Sequence, residues 1–510
     1  MAQVAPRSDV HDVVIIGSGV GGAAVAFTLA DSGARILILE RGERLPREAE
    51  NWSAEAVFAE QRYRTTETWY DGGGKPFRPG QFYFVGGHTK FYGAAMFRFR
   101  ERDFEGIEHD EGRTVPWPIR YADLEPWYGE AERLFGVHGK AGEDPTEPPR
   151  SSPYTYGPIP HEPVIADAFQ RMRALGLHPF HMPAAVDMHQ GGTCVRCGTC
   201  DAFPCRIGAK GDAETRLLDP ALEHANVSLL TGCEVTRLVT DASGRRIVSA
   251  EYRKGGATAS VSARLFVLSA GAINSAAVLL RSADTRNPNG LANSSGVVGR
   301  YYMNHNCTGI MAIRPFQINR TRFPKTIAVN DFYFSSPASD KPLGNLQLLG
   351  KIGEPMLRGA LPRVPKWLRS WLAQHSVDWY VMSEDLAQRD SEVRLRNDGA
   401  IELRWKRSNL RAHRRFVDIA KRLLKDIGFP IVLAKPFGTD TPSHQCGTAR
   451  FGTDPAASAL DPFCRAWDHD NLYVVDASFF PSSAALNPAL TVAAQALRAG
   501  HHLKQRLHEF

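Results

Sequence analysis

DVVIIGSGVGGAAVAFTLADSGARILILE, residues 12–40, decides the fold. DVVII (12–16) is a short apolar run rich in β-branched side chains, the pattern of a buried parallel strand. GSGVGG follows at once and gives Gly17, Gly19 and Gly22 the G-x-G-x-x-G spacing. A helix-compatible stretch, AAVAFTLADSG (23–33), leads to a second strand, RILILE (35–40), which ends in Glu40. Strand, glycine turn, helix and strand together make a dinucleotide-binding unit. Gly17 makes the tight turn, Gly19 lets backbone approach a pyrophosphate, and Gly22 lets helix and strand pack closely. The helix N-terminus offers free N–H groups to the phosphates. Glu40 is placed to accept hydrogen bonds from a ribose, and its charge disfavours the 2′-phosphate of NADP. On this motif alone NAD and FAD are equal.

The other end of the chain separates them. SHQCGTARFG (443–452) contains His444, Gly447 and Thr448 in an H-x-x-G-T pattern. NLYVVDA (471–477) is a strand ending in Asp476 and Ala477, and Asn487-Pro488 precede the apolar-periodic ALTVAAQAL. Further inward lie FVGGHTKFYGAAMFRFR (84–100), PCRIGAKGDAETRLLDPAL (204–222) and LSAGAINSAAVLLRS (268–282). Together these closely resemble the signatures of the glucose–methanol–choline (GMC) flavoproteins, from residue 12 to about residue 503. The resemblance is weakest over 310–435, where that family builds its substrate pockets.

The resemblance implies an α/β FAD-binding Rossmann-like domain plus an α+β substrate-binding domain with an antiparallel sheet, the p-hydroxybenzoate-hydroxylase-like architecture. It implies a discontinuous FAD domain over 10–45, 80–115, 195–300 and 440–510, and a substrate domain over 120–190 and 301–439. It implies FAD as cofactor, with Gly86, Gly87, Val235, Ala270, Gly271, Asp476, Ala477 and Pro488 contacting it beside the N-terminal loop. It also implies oxidation of an alcohol CH–OH group to a carbonyl, the hydride passing to the flavin.

Such chemistry needs a base for the hydroxyl proton, and histidine titrates in the right range. The resemblance assigns that role to His444 and the substrate-fixing role to Asn487, a His/Asn pair as in pyranose-oxidase-like members. Asn487 has a second reading from the residues alone: Asn at an N-cap with Pro at the first helical position is a common helix start. Its oxygen capping while its NH₂ faces substrate would serve both. Asp476 is alternatively a loop-capping carboxylate. Asn304, His305 and Asn306, in YYMNHN, read as a packed polar turn. Members that tether FAD carry a histidine four residues after the second glycine of the G-G pair; here Phe91 occupies that place and His88 the wrong offset, so FAD is expected to be non-covalent. The substrate is expected to be a sugar or glycoside. A non-sugar alcohol, aromatic, aliphatic or choline-like, and a catalytically silent flavin protein are the alternatives. Oxygen, a quinone or a redox protein would accept the electrons.

Half of the eight cysteines fall in TCVRCGTCDAFPC: Cys194, Cys197, Cys200 and Cys205. The spacing suggests a metal or iron–sulfur site. However, Pro204 precedes the last cysteine, four residues intervene before it, and no second pair follows as in most zinc sites. Structural thiols or a local disulfide are the competing reading, and no metal is assigned.

With 510 residues, 43% hydrophobic and 23% charged, the chain can bury more than one core. The net charge of +6 is spread out, which argues against nucleic acid as a partner. No run approaches the roughly 20 apolar residues of a membrane span, and MAQVAPRSDVHD lacks a signal layout; a cytoplasmic location is expected. EVRLRNDGAIELRW (392–405) reads as a hairpin in a sheet that floors the pocket. PMLRGALPRVPKWLRSWLAQH (355–375) places Trp367, Leu368, Trp371 and Leu372 on one helical face. That face packs on its own domain; a lid or a membrane-surface contact is the alternative.

Overall fold

The computed structural model describes residues 10–336 and 340–510; most of the stretch MAQVAPRSDVHD, read above for a signal layout, lies outside the described residues. The strand His11–Ile16 is central to a seven-stranded sheet, pairing in parallel with Ile36–Leu39 on one side and Ala257–Leu268 on the other. Val227–Leu230 extends the first side, also in parallel. The strand Ala257–Leu268 serves two further partners. Its N-terminal half joins the antiparallel meander of Ile247–Lys254 and Glu234–Thr240; its C-terminal half joins Leu472–Val474 in parallel. Val13 to Ile16 are buried, as a strand covered on both faces requires. The helix Val20–Leu29 covers one face and packs against the helix Ala489–Arg506, so the two ends of the chain meet there.

A second sheet has six strands, in the order Ile431–Pro436, Asn306–Ile313, Ser376–Ser383, Asn345–Leu348, Ile327–Val329 and Phe180–His181, every pairing antiparallel. One face packs on the amphipathic helix Leu410–Asp426: Leu346, Leu348, Val377 and Trp379 share a core with Phe416 and Leu424. The fold is therefore the expected pair, a Rossmann-like sheet with an antiparallel sheet beside it.

Two local expectations change in the tertiary structure. The hairpin exists, with Glu392 opposite Arg404, but it joins Trp69–Asp71 and Pro76–Phe77 in a separate four-stranded sheet. The six-stranded sheet, through Gly309, Met311 and Tyr380, lines the cavity instead. Turn chemistry sets a hairpin locally, whereas its sheet partner comes from distant chain. The segment 355–375 is not one helix. Glu354–Ala360 and Lys366–His375 are separate, as the prolines at 362 and 365 dictate. Leu368, Trp371 and Leu372 pack with Met311, Ile313 and Leu357, but Trp367 is 70% exposed, so the stripe is split. Among the described residues no helix is long and apolar enough to cross a membrane.

Candidate active site

A cavity of about 1060 Å³ runs from the glycine turn to the six-stranded sheet. Gly17, Gly19, Glu40, Gly87, Val235, Ala270, Gly271, Asp476, Ala477, His444, Asn487 and Pro488 all line it; Gly22 and Gly86 stand behind the wall.

The glycine turn is built as its sequence requires. Gly17 has φ +97°, and a Cβ there would meet the Ser269 carbonyl oxygen at 2.3 Å. A Cβ on Gly22 would meet the Gly17 carbonyl oxygen at 2.0 Å, so helix and strand touch there. A Cβ on Gly19 would meet nothing within 4 Å, because this residue caps the helix facing open cavity. That open cradle at a helix N-terminus fits a pyrophosphate. Gly21, outside the motif as read, is as constrained as any: its Cβ would lie 1.7 Å from the Val475 carbonyl oxygen.

The two carboxylates are heavily committed. Glu40 accepts from Ser18 N (2.9 Å) and Ser18 Oγ (2.6 Å) through one oxygen and from Gly42 N (2.8 Å) through the other. Burial pushes its pKa up, and these hydrogen bonds oppose the rise. Asp476 accepts from Ser478 N (2.8 Å), Gly271 N (3.0 Å) and Ser275 Oγ (2.5 Å). It caps the turn Ala477–Phe479 and ties it to the helix that begins after Gly271. The loop-capping geometry is present, at the cavity wall.

His444 is held by its own motif and by the YYMNHN segment. A Cβ on Gly447 (φ +92°) would lie 2.4 Å from the Tyr301 carbonyl oxygen, and Thr448 Oγ1 donates to the Ala272 carbonyl oxygen at 2.6 Å. Asn304 clamps the loop: its Oδ1 accepts from His444 N (3.0 Å) and its Nδ2 donates to the Thr441 carbonyl oxygen (3.1 Å). His305 is no mere packed turn. Its Nε2 lies 3.0 Å from the Ser483 carbonyl oxygen and its Nδ1 lies 2.9 Å from His444 Nδ1. A carbonyl only accepts, so His305 Nε2 carries the hydrogen and its neutral Nδ1 is an acceptor. His444 Nδ1 must then donate, which leaves His444 Nε2 with a free lone pair. The sequence signal for His305 was three polar residues at the start of an apolar strand; nothing in it named the partner.

Burial, before the nearby His305, Lys325 and His88, drives the His444 pKa well below the usual histidine value. His88, also on the wall, is pushed down to about 4 by burial. Lys325 and Asp201 form an ion pair at 3.0 Å on the same wall.

Asn487 does not cap its helix. The helix starts at Ala489 without a side-chain cap, and Asn487 instead reaches across to the antiparallel sheet. Its Oδ1 accepts from Gln347 Nε2 at 2.8 Å, and its Nδ2 lies 3.5 Å from His444 Nε2. Gln347 Nε2 takes the oxygen that a cap would have offered to the helix N–H groups. Phe91 stacks on Phe82 with centroids 4.1 Å apart, and both line the cavity.

The four clustered cysteines surround a second, small cavity as free thiols, so the local disulfide is absent. Burial raises the Cys194 thiol and pushes Cys200 up to about 12. Among the described residues no group of three His, Cys, Asp or Glu side chains is arranged to hold a metal ion.

Models of the GMC oxidoreductase family match residues 82–307 and 387–496, and one of an NAD(P)-binding Rossmann-like domain matches 15–59. The chain is 33% identical to 6'''-hydroxyparomomycin C oxidase of Streptomyces lividus, over 98% of this chain and 92% of that protein. It is 32% identical to paromamine 6'-oxidase of Streptomyces fradiae, covering 96% and 90%. The fructose dehydrogenase large subunit of Gluconobacter japonicus is 26% identical, covering 96% of both. The crystal structure of pyridoxine 4-oxidase from Mesorbium loti shares the fold, with a TM-score of 0.67 over 97% of this chain and 99% of that one at 18% identity.

Proposed function

The chain belongs to the GMC oxidoreductase family, and on that premise we propose that it oxidises a sugar or glycoside hydroxyl to a carbonyl with His444 as base and Asn487 as its partner. One observation carries the reading: the side chains of these two residues, 43 positions apart, converge to 3.5 Å on the wall of the cavity that the glycine turn opens into. The sugar or glycoside class is supported by the relatives named for paromamine and fructose.

FAD, when bound, supplies the hydride acceptor. Gly19 and the helix behind it would hold its phosphates, Glu40 would stand at its ribose, and Val235, Ala270, Gly271, Asp476, Ala477 and Pro488 would line the rest of its path, with Gly87 in the cavity wall and Gly86 behind it. The attachment is non-covalent, since Phe91 has no nucleophilic atom. The remaining steps belong to the protein. His444 is neutral at physiological pH because burial disfavours its charged form. Its free Nε2 takes the hydroxyl proton as the C–H bond breaks, and a positioned base contributes roughly 10²- to 10⁴-fold. Asn487 Nδ2 donates to the substrate oxygen as negative charge develops there. His305 keeps the accepting nitrogen turned towards substrate.

The two sheets support the division proposed from sequence. The Rossmann-like sheet draws its strands from 11–39, 227–268 and 472–474, and the antiparallel sheet from 180–181 and 306–436. Oxygen, a quinone or a redox protein would accept the electrons. The eight free thiols support a cytoplasmic location.

A second reading has its own observation. Met311, Leu349, Ile352, Leu357 and Phe437 make the sheet side of the cavity apolar, which suits a non-sugar alcohol or an apolar aglycone. The test is anaerobic: pyranoses, glycosides, choline, and aromatic and aliphatic alcohols are added one at a time to the yellow enzyme. Bleaching by a pyranose or glycoside supports the main reading, bleaching by an aromatic or aliphatic alcohol alone supports the second, and no bleaching by any overturns both. Readmitted air then separates oxidase from dehydrogenase.

A further inference from the structure

The strand Asn345–Leu348 alternates polar and apolar residues, yet all four are buried. Leu346 and Leu348 face the helix Leu410–Asp426. Asn345 and Gln347, both 0% exposed, therefore point the other way, shut off from bulk solvent. Their partners form one continuous chain. Asn330 Nδ2 donates to Asp144 Oδ2 (2.8 Å), Asn345 Nδ2 to Asn330 Oδ1 (2.8 Å), and Gln347 Nε2 to Asn345 Oδ1 (2.9 Å) and to Asn487 Oδ1 (2.8 Å).

The direction of this chain is set at its far end. Asp144 is ion-paired with Arg100, and its other oxygen accepts from Thr146 N and Thr146 Oγ1. A carboxylate offers only acceptors. Asn330 must turn its NH₂ towards Asp144, so its oxygen faces Asn345. The same rule passes through Asn345 to Gln347, which spends both hydrogens of Nε2, one on Asn345 and one on Asn487. Reversing any one amide would set acceptor against acceptor or donor against donor in a dry interior.

We propose that Gln347 is a positioning residue for the reaction: through this Asp144-anchored chain it fixes the Asn487 amide so that Nδ2, and never Oδ1, faces His444 Nε2 and the substrate oxygen. The inference rests on the assignment of His444 and Asn487 made above. It adds that the donor character of Asn487 is imposed from four residues away. A free amide would turn its oxygen inward part of the time, where it would repel the developing alkoxide and draw the ring proton onto His444 Nε2.

The test has a substrate-free arm and a kinetic arm. Histidine-selective ¹⁵N spectra of the flavin-loaded enzyme, assigned with His444→Asn, report which ring nitrogen carries hydrogen. The wild type is expected to show Nε2 unprotonated. Gln347→Glu, whose carboxylate has no donor, is expected to turn Asn487 over and move the proton towards Nε2. Gln347→Met, of similar shape, is expected to give a mixture. Because His305 by itself holds the His444 hydrogen on Nδ1, the spectra are also recorded in a His305→Leu background; tautomers unchanged by Gln347→Met there, with the unfolding temperature near that of His305→Leu, would overturn the proposal. In the kinetic arm D-glucose is the first probe, followed by the panel above. Gln347→Met is expected to slow anaerobic bleaching about tenfold, the worth of one hydrogen bond in the transition state, and to cause no further loss in an Asn487→Ala background. An additive loss would show that Gln347 acts elsewhere. A wild type that no alcohol bleaches would instead count against the active-site reading, and the ¹⁵N arm would still decide the amide question.

Discussion

His305 Nδ1 and His444 Nδ1 lie 2.9 Å apart, and because His305 Nε2 is spent on the Ser483 carbonyl oxygen, the hydrogen between the two rings belongs to His444. A residue that does not line the cavity thereby selects the tautomer of one that does. Replacing His305 with Leu removes the acceptor and frees the His444 hydrogen to move. Anaerobic bleaching is expected to slow about tenfold at every pH. His305→Gln, which can return an oxygen to that place, is expected to recover part of the rate. An unchanged rate in His305→Leu would dispose of the relay.

His444→Ala should separate chemistry from cofactor binding. The residue lines the cavity but none of the glycine turns depends on it. The variant is expected to purify yellow and to bleach more slowly by roughly 10²- to 10⁴-fold. Full turnover with flavin retained would mean the base lies elsewhere.

The pH dependence follows from the depressed His444 pKa. Lowering a histidine pKa makes the neutral, proton-accepting form dominant down to lower pH. The bleaching rate is therefore expected to be flat from about pH 6.5 upward and to fall only on the acid side, below the ordinary histidine value. A rising limb centred at or above pH 6.5 would contradict the buried, neutral base.

Gly17→Ala and Gly19→Ala test the cofactor cradle from opposite directions. At Gly17 the added methyl meets a backbone oxygen at 2.3 Å and φ is +97°, so the fold itself pays, by about 1–3 kcal/mol, seen as a lower unfolding temperature of the flavin-free protein. At Gly19 φ is −66° and the methyl points into open cavity. That variant is expected to keep its flavin-free unfolding temperature and lose flavin occupancy. Normal occupancy in Gly19→Ala would place the phosphates elsewhere.

Acid precipitation should release all of the flavin. Phe91 stands where tethering relatives carry histidine, and it is stacked on Phe82. A yellow pellet would show a covalent bond formed by another residue.

Much was legible in the chain itself because it rests on local rules. The strand–glycine–helix–strand unit at 12–40 reads from periodicity and from what a residue without a Cβ permits, and the structure gives Gly17 its positive φ and Gly22 its close packing. The hairpin at 392–405 was legible for the same reason. The motifs at 444–448 and 487–488 named the residues to watch. They did not say that Asn487 would leave its helix uncapped for Gln347, since an N-cap is a local choice and Gln347 is 140 positions away. Nor did they distinguish His305 from a turn residue, or the polar face of Asn345 and Gln347 from an ordinary alternating strand. Hydrogen bonds between buried groups are directional, and their worth depends on every partner being in place at once. The sequence named the candidate residues; which atom each of them presents was decided by the tertiary structure.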